Sequence, residues 1–578
     1  MEHWNDDRSI AEVESLLAEM TLDEKIGQMT QVETSFLECR EDIRDYGLGS
    51  LLSGGGRSPA VNTPESWADM VEGCQKAALQ TRLRIPLLYG VDAVHGHNNV
   101  KGAVIFPHNI GLGAARRPEL TEEAARITAR DVRATGMNWI FAPCVAVPRD
   151  ERWGRTYEGF GEDPDLAAEL GQAAIRGIQG HTVGDLPQVL ACAKHYLGDG
   201  GTSLGRDQGD TLADQDAMRR IHLPPYIKAI QAGVGSIMVS FSSWNGAKMH
   251  ASSYWLTRVL KQELGFQGLV VSDWAGITQL PGSPADQIHS AITAGLDMIM
   301  VPDTYRLFIQ ILKSLVREGR IPLDRIDDAV RRILRIKFQL GLFENPMADR
   351  RLLRETGSAE HRRVARCCVR ESVVLLKNQA GILPLPKTLS HLLVAGKCAH
   401  DLGNQCGGWT ISWYGESGFH TDGTTILEAV RQSVSPSTRL SYSPDASTIP
   451  DQPDAAIAVI GETPYAEGVG DRTDLNLDPD DQAVLTRLHQ AGIPIITILI
   501  SGRPLLIESC LALSQAVMAA WLPGSEGQGV TDILFGDFPP TGKLPHTWPR
   551  HLDQIPINHD QTGIDPLFPY GFGLTYPG

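Results

Sequence analysis

Positive charge, closely spaced cysteines and long apolar runs are all scarce in this sequence. The 52 Lys and Arg residues are outnumbered by 69 Asp and Glu residues, which gives a net charge of −17 at pH 7. No basic stripe can neutralise phosphates, so we do not expect nucleic acid as a partner. The most continuous apolar run, IPIITILI at 493–500, is far shorter than the roughly twenty residues that span a bilayer. We therefore expect no membrane partner either.

The nine cysteines are scattered, and none is spaced as CxxC. This pattern argues against a zinc ribbon and a disulfide framework, and it fits a reducing compartment. The first residues, MEHWNDDRSIAEVESLL, contain neither the basic nor the apolar region of a secretory signal. A cytoplasmic protein is the default expectation, and a periplasmic or secreted one stays open if a leader was removed.

At 578 residues the chain is too long for a single core. Short apolar segments, separated mostly by stretches of helical periodicity, predict eight strands. They lie at 26–32, 49–53, 85–91, 138–145, 188–193, 234–241, 267–272 and 296–301. This alternation predicts an α/β fold that begins with a TIM-like (β/α)8 barrel over residues 1–345, whose chemistry lies on the loops after the strands.

A second, smaller α/β sandwich is predicted over residues 373–578. The last barrel helix ends at GLFENP (341–346), where Gly341 and Pro346 stop it. Residues 346–372, rich in Arg and Glu, are predicted to be a linker that crosses the surface. Further buried strands are predicted at 372–378, 391–397, 454–462, 494–502 and 516–524.

The stretch QGLVVSDW at 267–274 ends a buried strand in Asp273 and Trp274. A carboxylate at the C-terminal edge of a barrel strand, beside an indole that can lie on a sugar ring, suits a nucleophile that attacks an anomeric carbon. A single Asp at such a position is more often the cap of the next helix. The polar residues at the ends of the other strands favour a catalytic role for Asp273 over a capping role.

Polar residues follow several other predicted strands at the same edge of the barrel. Asp92 follows the third strand, Arg155 lies in the RDERWGR loop after the fourth, Lys194 and His195 follow the fifth, and Phe241 ends the sixth. Acidic and basic groups that converge on one pocket can hold the vicinal hydroxyls of a glucosyl ring. We therefore predict a sugar site at this edge.

The pair His95 and His97 raises the alternative of a metal-dependent amidohydrolase, because HxH after a barrel strand is a common metal-ligand pattern. Such an enzyme places the pair after its first strand and adds histidines after the fifth and sixth. Here the pair follows the third strand, and the sixth ends in Phe241, so we expect no metal.

Ten segments, in order along the chain, resemble glycoside hydrolase family 3, and within it the exo-β-glucan glucohydrolases and β-glucosidases. They are GVDAVHGHNNV (90–100), FPHNIGLGA (106–114), RWGRTYE (152–158), KHYLGDGGT (194–202), SSWNGAKMH (242–250), GLVVSDW (268–274), AGLDMIMVP (294–302), CGGWTISW (406–413), GETPYAEGVGD (461–471) and AAWLPGSEGQGVTD (519–532). The resemblance implies a retaining enzyme without cofactor that acts on β-glucosides or β-linked gluco-oligosaccharides. It implies no oligomeric state.

The resemblance also implies roles for individual residues. Asp273 is the expected nucleophile, and Glu467, on the second-domain loop GETPYAEGVGD, is the expected general acid/base. Glu462 on the same loop is the competing candidate, but its place at the strand end favours a structural role. The expected substrate-binding residues are Asp92, Arg155, Lys194, His195, Phe241, Trp274, Met300 and Trp413. Among these, Trp274 and Trp413 are expected to sandwich the second sugar unit.

Three positions depart from the pattern of the family. Phe241 stands where many relatives carry Tyr, Gln208 stands where close relatives carry an acidic residue, and Cys144 lacks the disulfide partner of plant relatives. A β-xylosidase of the same family stays open, because a pentose lacks only the hydroxymethyl group. A catalytically silent glucan-binding protein is the alternative outside the enzymes, although the presence of both Asp273 and Glu467 argues against it.

Overall fold

The computed structural model describes residues 7–180, 189–449 and 453–576. Within these residues, eight short parallel strands of the first half form one sheet, in which neighbours along the chain are neighbours in space. They are β1 (Thr30–Glu33), β2 (Ser50–Ser53), β3 (Leu88–Val91), β4 (Trp139–Ile140), β5 (Leu190–Tyr196), β6 (Ser236–Val239), β7 (Leu269–Val271) and β8 (Ile299–Met300). A bridge between Val271 and Met298 joins the two ends of the sheet, so the predicted barrel is confirmed.

Helices cover the outside of the barrel, and several of them begin at a proline. Pro64, Pro118, Pro164, Pro224 and Pro284 each occupy the first turn, where the fixed φ of proline suits a helix and its missing N–H is not needed. The helices of this half include Asp7–Glu19, Leu22–Gln28, Pro64–Ala78, Asn109–Ala115, Pro118–Ala134, Pro164–Gln179, Pro224–Gln231, the π-helical Tyr254–Glu263, Pro284–Ala294, Tyr305–Arg317 and Leu323–Gln339.

The start of the barrel differs from the strand prediction. Residues 26–28 end a helix rather than begin a strand, because Thr21 and Glu24 form a capping box that starts the helix Leu22–Gln28 before β1 is reached.

The second half is built on a sheet of six strands in the described residues, in the order β9-β14-β13-β12-β10-β11. They are β9 (Val374–Asn378), β10 (His391–Ala395), β11 (Arg439–Ser443), β12 (Ala455–Gly461), β13 (Ile495–Ile500) and β14 (Ala516–Trp521). All pairings are parallel except that of β9 with β14. Helices Leu402–Cys406, Ile426–Ser433, Pro479–Gln490, Glu508–Leu513 and Gln528–Leu534 flank this sheet. The smaller α/β domain is therefore confirmed as a fold.

Residues 346–372, predicted as a linker, contain the helix Ala359–Ser372, one face of which is buried. Their charged residues pair with both halves of the molecule. Glu355 forms an ion pair with Arg130 of a barrel helix, with a shortest N···O distance of 2.7 Å, and Arg362 lies 2.9 Å from Glu526 of the second half. The segment therefore packs the two halves together as well as connecting them.

Two further observations concern membrane-spanning helices and the state of the cysteines. No helix in the described ranges is both long and apolar enough to cross a bilayer. All nine cysteines are free thiols. Localisation in the cytoplasm stays a prediction.

Candidate active site

A cavity of about 330 Å³ lies at the C-terminal edge of the barrel strands, under two loops of the second domain. All ten residues predicted to form the site lie in its wall. They are Asp92, Arg155, Lys194, His195, Phe241, Asp273, Trp274, Met300, Trp413 and Glu467. The wall also contains residues that the prediction did not assign to substrate: Leu52, Gly54, Gly55, Arg57, Phe141, Gln208, Met238 and Trp409. The structure brings the predicted set together, and the role of each residue stays a prediction.

Asp273 is held through one carboxylate oxygen only. Its Oδ1 accepts a hydrogen bond of 2.7 Å from the backbone N–H of Trp274, whereas its buried Oδ2 has no hydrogen-bond partner within the described residues. The backbone N–H of Asp273 donates to Nε2 of His250 at 3.1 Å. Burial raises the pKa of the Asp273 carboxyl to about 7, against the opposing charges of Arg155 and Lys194. This carboxylate is fixed in orientation and keeps one oxygen available for chemistry.

Glu467 reaches the cavity from the loop after β12. Its backbone has the left-handed φ of 51°, and its Oε1 lies 3.3 Å from Nη1 of Arg155. Loss of solvent raises the pKa of Glu467 to about 8, and the negative charges of Asp207 and Asp273 add to the effect of burial. A carboxyl with this pKa holds its proton at neutral pH, which is the state that a general acid needs.

Contacts from the barrel fix the loop that carries Glu467. A Cβ on Gly154 would lie 2.0 Å from the carbonyl oxygen of Glu467, so only glycine lets the two chains approach this closely. Asp471 accepts hydrogen bonds from the backbone N–H groups of Gly154 and Asp207, both at 2.8 Å. One carboxylate therefore ties the loop to the chain segments that carry Arg155 and Asp207.

Arg155 is the centre of a buried charge network. Its guanidinium donates to both oxygens of Glu158, at 2.8 and 3.0 Å, and to Nε2 of His195 at 3.1 Å. Because Nε2 accepts, Nδ1 of His195 carries the ring proton, and it lies 2.8 Å from Oδ2 of Asp199. Burial and the charges of Arg155 and Lys194 hold the pKa of His195 well below its ordinary value. His195 is therefore neutral. Its single N–H donor is Nδ1, and Nε2 acts as an acceptor.

Lys194 and Asp92 form an ion pair in the cavity wall, with Nζ 3.2 Å from Oδ1. The ammonium also lies 5.6 Å from the ring centroid of Trp409, whose Nε1 donates to Glu158 at 3.1 Å. The sequence prediction missed Trp409, although the CGGWTISW segment that supplied Trp413 contains it. Two tryptophans in one short segment of the second domain were the available signal.

The cavity mouth is aromatic. Trp274 is 42% exposed and Trp413 is 36% exposed, in contrast to the buried polar groups below them. Phe241 lies deeper, with its carbonyl oxygen accepting from Nζ of Lys248 at 2.8 Å. Gln208 accepts a hydrogen bond of 2.7 Å from the side-chain amide of Gln279, so its amide is held at the rim.

His95, His97 and Glu462, the residues considered as alternatives, are not part of the cavity wall. His97 contacts Thr135 through Nε2 at 2.9 Å, and Nδ1 of His95 lies 3.1 Å from a backbone carbonyl oxygen, so the two rings are engaged separately. Glu462 accepts hydrogen bonds of 2.9 Å from the hydroxyl of Tyr465 and from a backbone N–H, and it lies outside the cavity wall.

Comparison with known proteins decides the family. The family model described as "Glycosyl hydrolase family 3 N terminal domain" matches residues 21–336. The model described as "Glycosyl hydrolase family 3 C-terminal domain" matches residues 373–576. The chain belongs to glycosyl hydrolase family 3. This family 3 protein is therefore a glycoside hydrolase.

Three relatives illustrate the similarity within the family. A variant of the exo-1,3/1,4-beta-glucanase ExoP from a Pseudoalteromonas species shares 43% identity and superposes with a TM-score of 0.96, covering 99% of this chain and 96% of that one. The lysosomal beta glucosidase of Dictyostelium discoideum is 35% identical, covering 98% of this chain and 76% of the relative. A beta-xylosidase of Formosa agariphila is 31% identical, covering 88% and 77%.

Proposed function

We propose that this family 3 protein is a retaining, exo-acting β-D-glucosidase that releases glucose from the nonreducing ends of β-1,3- and β-1,4-linked gluco-oligosaccharides. The observation that supports it most strongly is the pair of carboxyls in one cavity. Asp273 presents a free oxygen, and burial raises the pKa of Glu467, from the other domain, to about 8. A carboxylate with a free oxygen and a carboxyl that keeps its proton are suited to the nucleophile and general-acid roles.

In the first step, Oδ2 of Asp273 attacks the anomeric carbon while Glu467 gives its proton to the departing glycosidic oxygen. The electron pair of the broken C–O bond stays on that oxygen, and an ester joins the sugar to Asp273. His195, whose Nε2 lies 3.9 Å from Oδ2, is neutral and does not neutralise the nucleophile.

In the second step, Glu467 acts as a base toward water. Ester formation removes the negative charge of Asp273, which is one of the charges that raise the pKa of Glu467. Glu467, ionised by giving up its proton in the first step, therefore stays a carboxylate and takes a proton from the water that attacks the anomeric carbon. The ester bond breaks, Asp273 recovers its charge, and the glucose leaves with retained configuration.

Binding of the first glucosyl unit uses the buried polar groups around Asp273. Asp92 accepts hydrogen bonds from sugar hydroxyls, whereas Arg155 and Lys194 donate them, and all three are held by contacts within the protein. Leu52, Phe141, Met238 and Met300, all of them buried, add apolar side chains to the same wall. A cavity walled by buried side chains accepts one sugar unit and stops the chain from passing through, which favours exo-cleavage.

A β-xylosidase is the second candidate, because a beta-xylosidase stands among the similar proteins at 31% identity. A panel of aryl glycosides separates the two, since a glucosidase gains transition-state contacts from the hydroxymethyl group that a xyloside lacks. We expect kcat/KM for the aryl β-glucoside to exceed that for the aryl β-xyloside by at least about tenfold.

The central experiment is to trap the covalent intermediate with a 2-deoxy-2-fluoro-β-glucoside that carries a good leaving group. We expect a single labelled peptide containing Asp273, and no label in the Asp273→Asn variant. A label on Glu467 or on no residue, in enzyme that turns over aryl β-glucosides, would contradict the assignment of the nucleophile. Absence of turnover on every β-glucoside tested would instead support a silent glucan-binding protein.

A further inference from the structure

Exposed aromatic side chains continue outward from the cavity, beyond the two tryptophans assigned to the second sugar unit. Phe36, which is 38% exposed, stands edge-on to Trp274 with ring centroids 6.5 Å apart and planes at 61°. On the other wall, Tyr414 is 41% exposed and stacks on Trp413 at 4.3 Å. Large apolar side chains that stay exposed side by side at a cavity mouth are typical of a ligand-binding surface.

Arg57 adds hydrogen-bond donors to this surface. It lines the cavity, and its guanidinium carbon lies 5.2 Å from the centroid of the Phe36 ring. Contact with the ring holds the planar guanidinium, whose N–H groups are hydrogen-bond donors. The residue is exposed, so these donors are open to a ligand.

The loop that carries Arg57 passes each predicted sugar position in turn. A Cβ on Gly54 would lie 3.0 Å from Oδ2 of Asp92, which is assigned to the first sugar unit. A Cβ on Gly55 would lie 3.3 Å from Cβ of Trp413, which is assigned to the second. Arg57 follows two residues later, in a turn closed by its backbone N–H and the carbonyl of Gly54 at 3.1 Å. The turn therefore places Arg57, together with Phe36, beside the predicted positions of the first two sugar units.

We propose that Phe36 and Arg57 form an outer subsite for a third β-linked glucosyl unit. The proposal rests on the proposed function and extends it to chain length. The Phe36 ring and the edge of Trp274 offer apolar contact to the C–H face of a pyranose, and Arg57 donates to a pair of vicinal hydroxyls. The occupant is a β-gluco-oligosaccharide of three or more units, because the surface is continuous with a cavity that holds the nonreducing end.

The test is the ratio of kcat/KM for laminaritriose to kcat/KM for laminaribiose, measured within each variant. An exposed site with one charged donor and one ring supports a preference of roughly tenfold for the trisaccharide. We expect Phe36→Ala and Arg57→Ala each to lower this ratio, and the double variant to bring it to about one. Arg439→Ala, which removes an exposed arginine from the edge strand β11, is the matched control and keeps the wild-type ratio.

A wild-type ratio near one, or a ratio that both variants leave unchanged, overturns the subsite while the β-glucosidase assignment stands. If no β-glucoside is hydrolysed, the proposed function fails and the subsite is tested by calorimetric binding instead. Laminaritriose that binds wild-type protein more tightly than laminaribiose, with the difference lost in Arg57→Ala, supports the subsite. Equal binding, or no binding, of the two sugars overturns it. Circular dichroism of each variant checks that the fold is kept.

Discussion

The pH dependence of turnover tests the two-acid site directly. Burial raises the pKa of Asp273 to about 7 and that of Glu467 to about 8. Turnover needs Asp273 ionised and Glu467 protonated, so kcat/KM must rise with pH through the first value and fall through the second. The two groups interact, and the two limbs of the profile are therefore properties of the pair. We expect a narrow bell with its maximum between the two values.

The size of the effect follows from the separation of the limbs. With limbs about one unit apart, the productive form is roughly 60% of the enzyme near pH 7.5 and roughly 3% near pH 5.5. We therefore expect kcat/KM for an aryl β-glucoside to fall about twentyfold between these two conditions, and by a similar factor toward about pH 9.5. The assay is initial rate at substrate concentrations well below KM, in buffers of constant ionic strength.

Asp207→Asn is the variant that assigns the alkaline limb. A Cβ on Gly468 would lie 3.6 Å from Cβ of Asp207, so this carboxylate stands against the loop of Glu467. Its charge raises the pKa of Glu467, and its Oδ1 accepts from Nε1 of Trp153 at 3.2 Å, a contact that the Asn amide oxygen can keep. We expect the alkaline limb to move to lower pH in the variant.

A wild-type maximum near pH 5, with activity already falling at neutral pH, would refute the argument from burial. An alkaline limb that does not move in Asp207→Asn would separate that limb from Glu467. The same pH profile is also measured with a dinitrophenyl glucoside, whose leaving group needs little protonation. For this substrate the alkaline limb of the first chemical step should weaken or disappear.

Other predictions rest on separate contacts. Glu467→Ala should lower kcat/KM for cellobiose by about 10²-fold or more, and that for a dinitrophenyl glucoside by much less; equal losses would place the acid elsewhere. Glu158→Gln removes the carboxylate that accepts two hydrogen bonds from the buried guanidinium of Arg155, so we expect a stability loss of about 3 kcal/mol in denaturant unfolding together with weaker sugar binding. His559 pairs with Glu162 across the two halves, and the Glu162 hydrogen bond raises its pKa. The stabilisation is present below the ordinary pKa of His559 and is lost as pH rises through the raised value, so the wild-type Tm should fall more between about pH 6 and about pH 8 than that of His559→Gln.

The barrel could be predicted because most of its strands contain a buried apolar run. All seven residues of β5 are buried, including Lys194, and such strands read as continuous runs in the sequence. β11 escaped prediction because it lies at the edge of its sheet, where the sequence RLSYS has no apolar run. The helix Ala359–Ser372 escaped because its Arg and Glu residues suggested a surface segment, whereas several of them pair with charges on the two halves.

The site residues that could be predicted are those that lie directly at the C-terminal end of a barrel strand. Asp92, Lys194 and Asp273 needed only the strand boundaries and the rule that barrel chemistry lies at the C-terminal edge. Trp409 and Arg57 could not be found in this way, because their positions depend on contacts between loops. The hydrogen bond of Trp409 with Glu158, for example, joins residues 251 apart in the sequence.

The position of Glu467 depends most on structure beyond its own loop. Its left-handed φ costs of order 1–3 kcal/mol and is kept only where the surroundings impose it. Those surroundings come from the barrel: Gly154 leaves room for the carbonyl oxygen of Glu467, and Asp471 accepts two backbone N–H groups of barrel loops. The acid loop therefore takes its working shape only against the barrel. Because the barrel also carries Asp273, the contacts that hold the domains together are the ones that set the acid against the nucleophile.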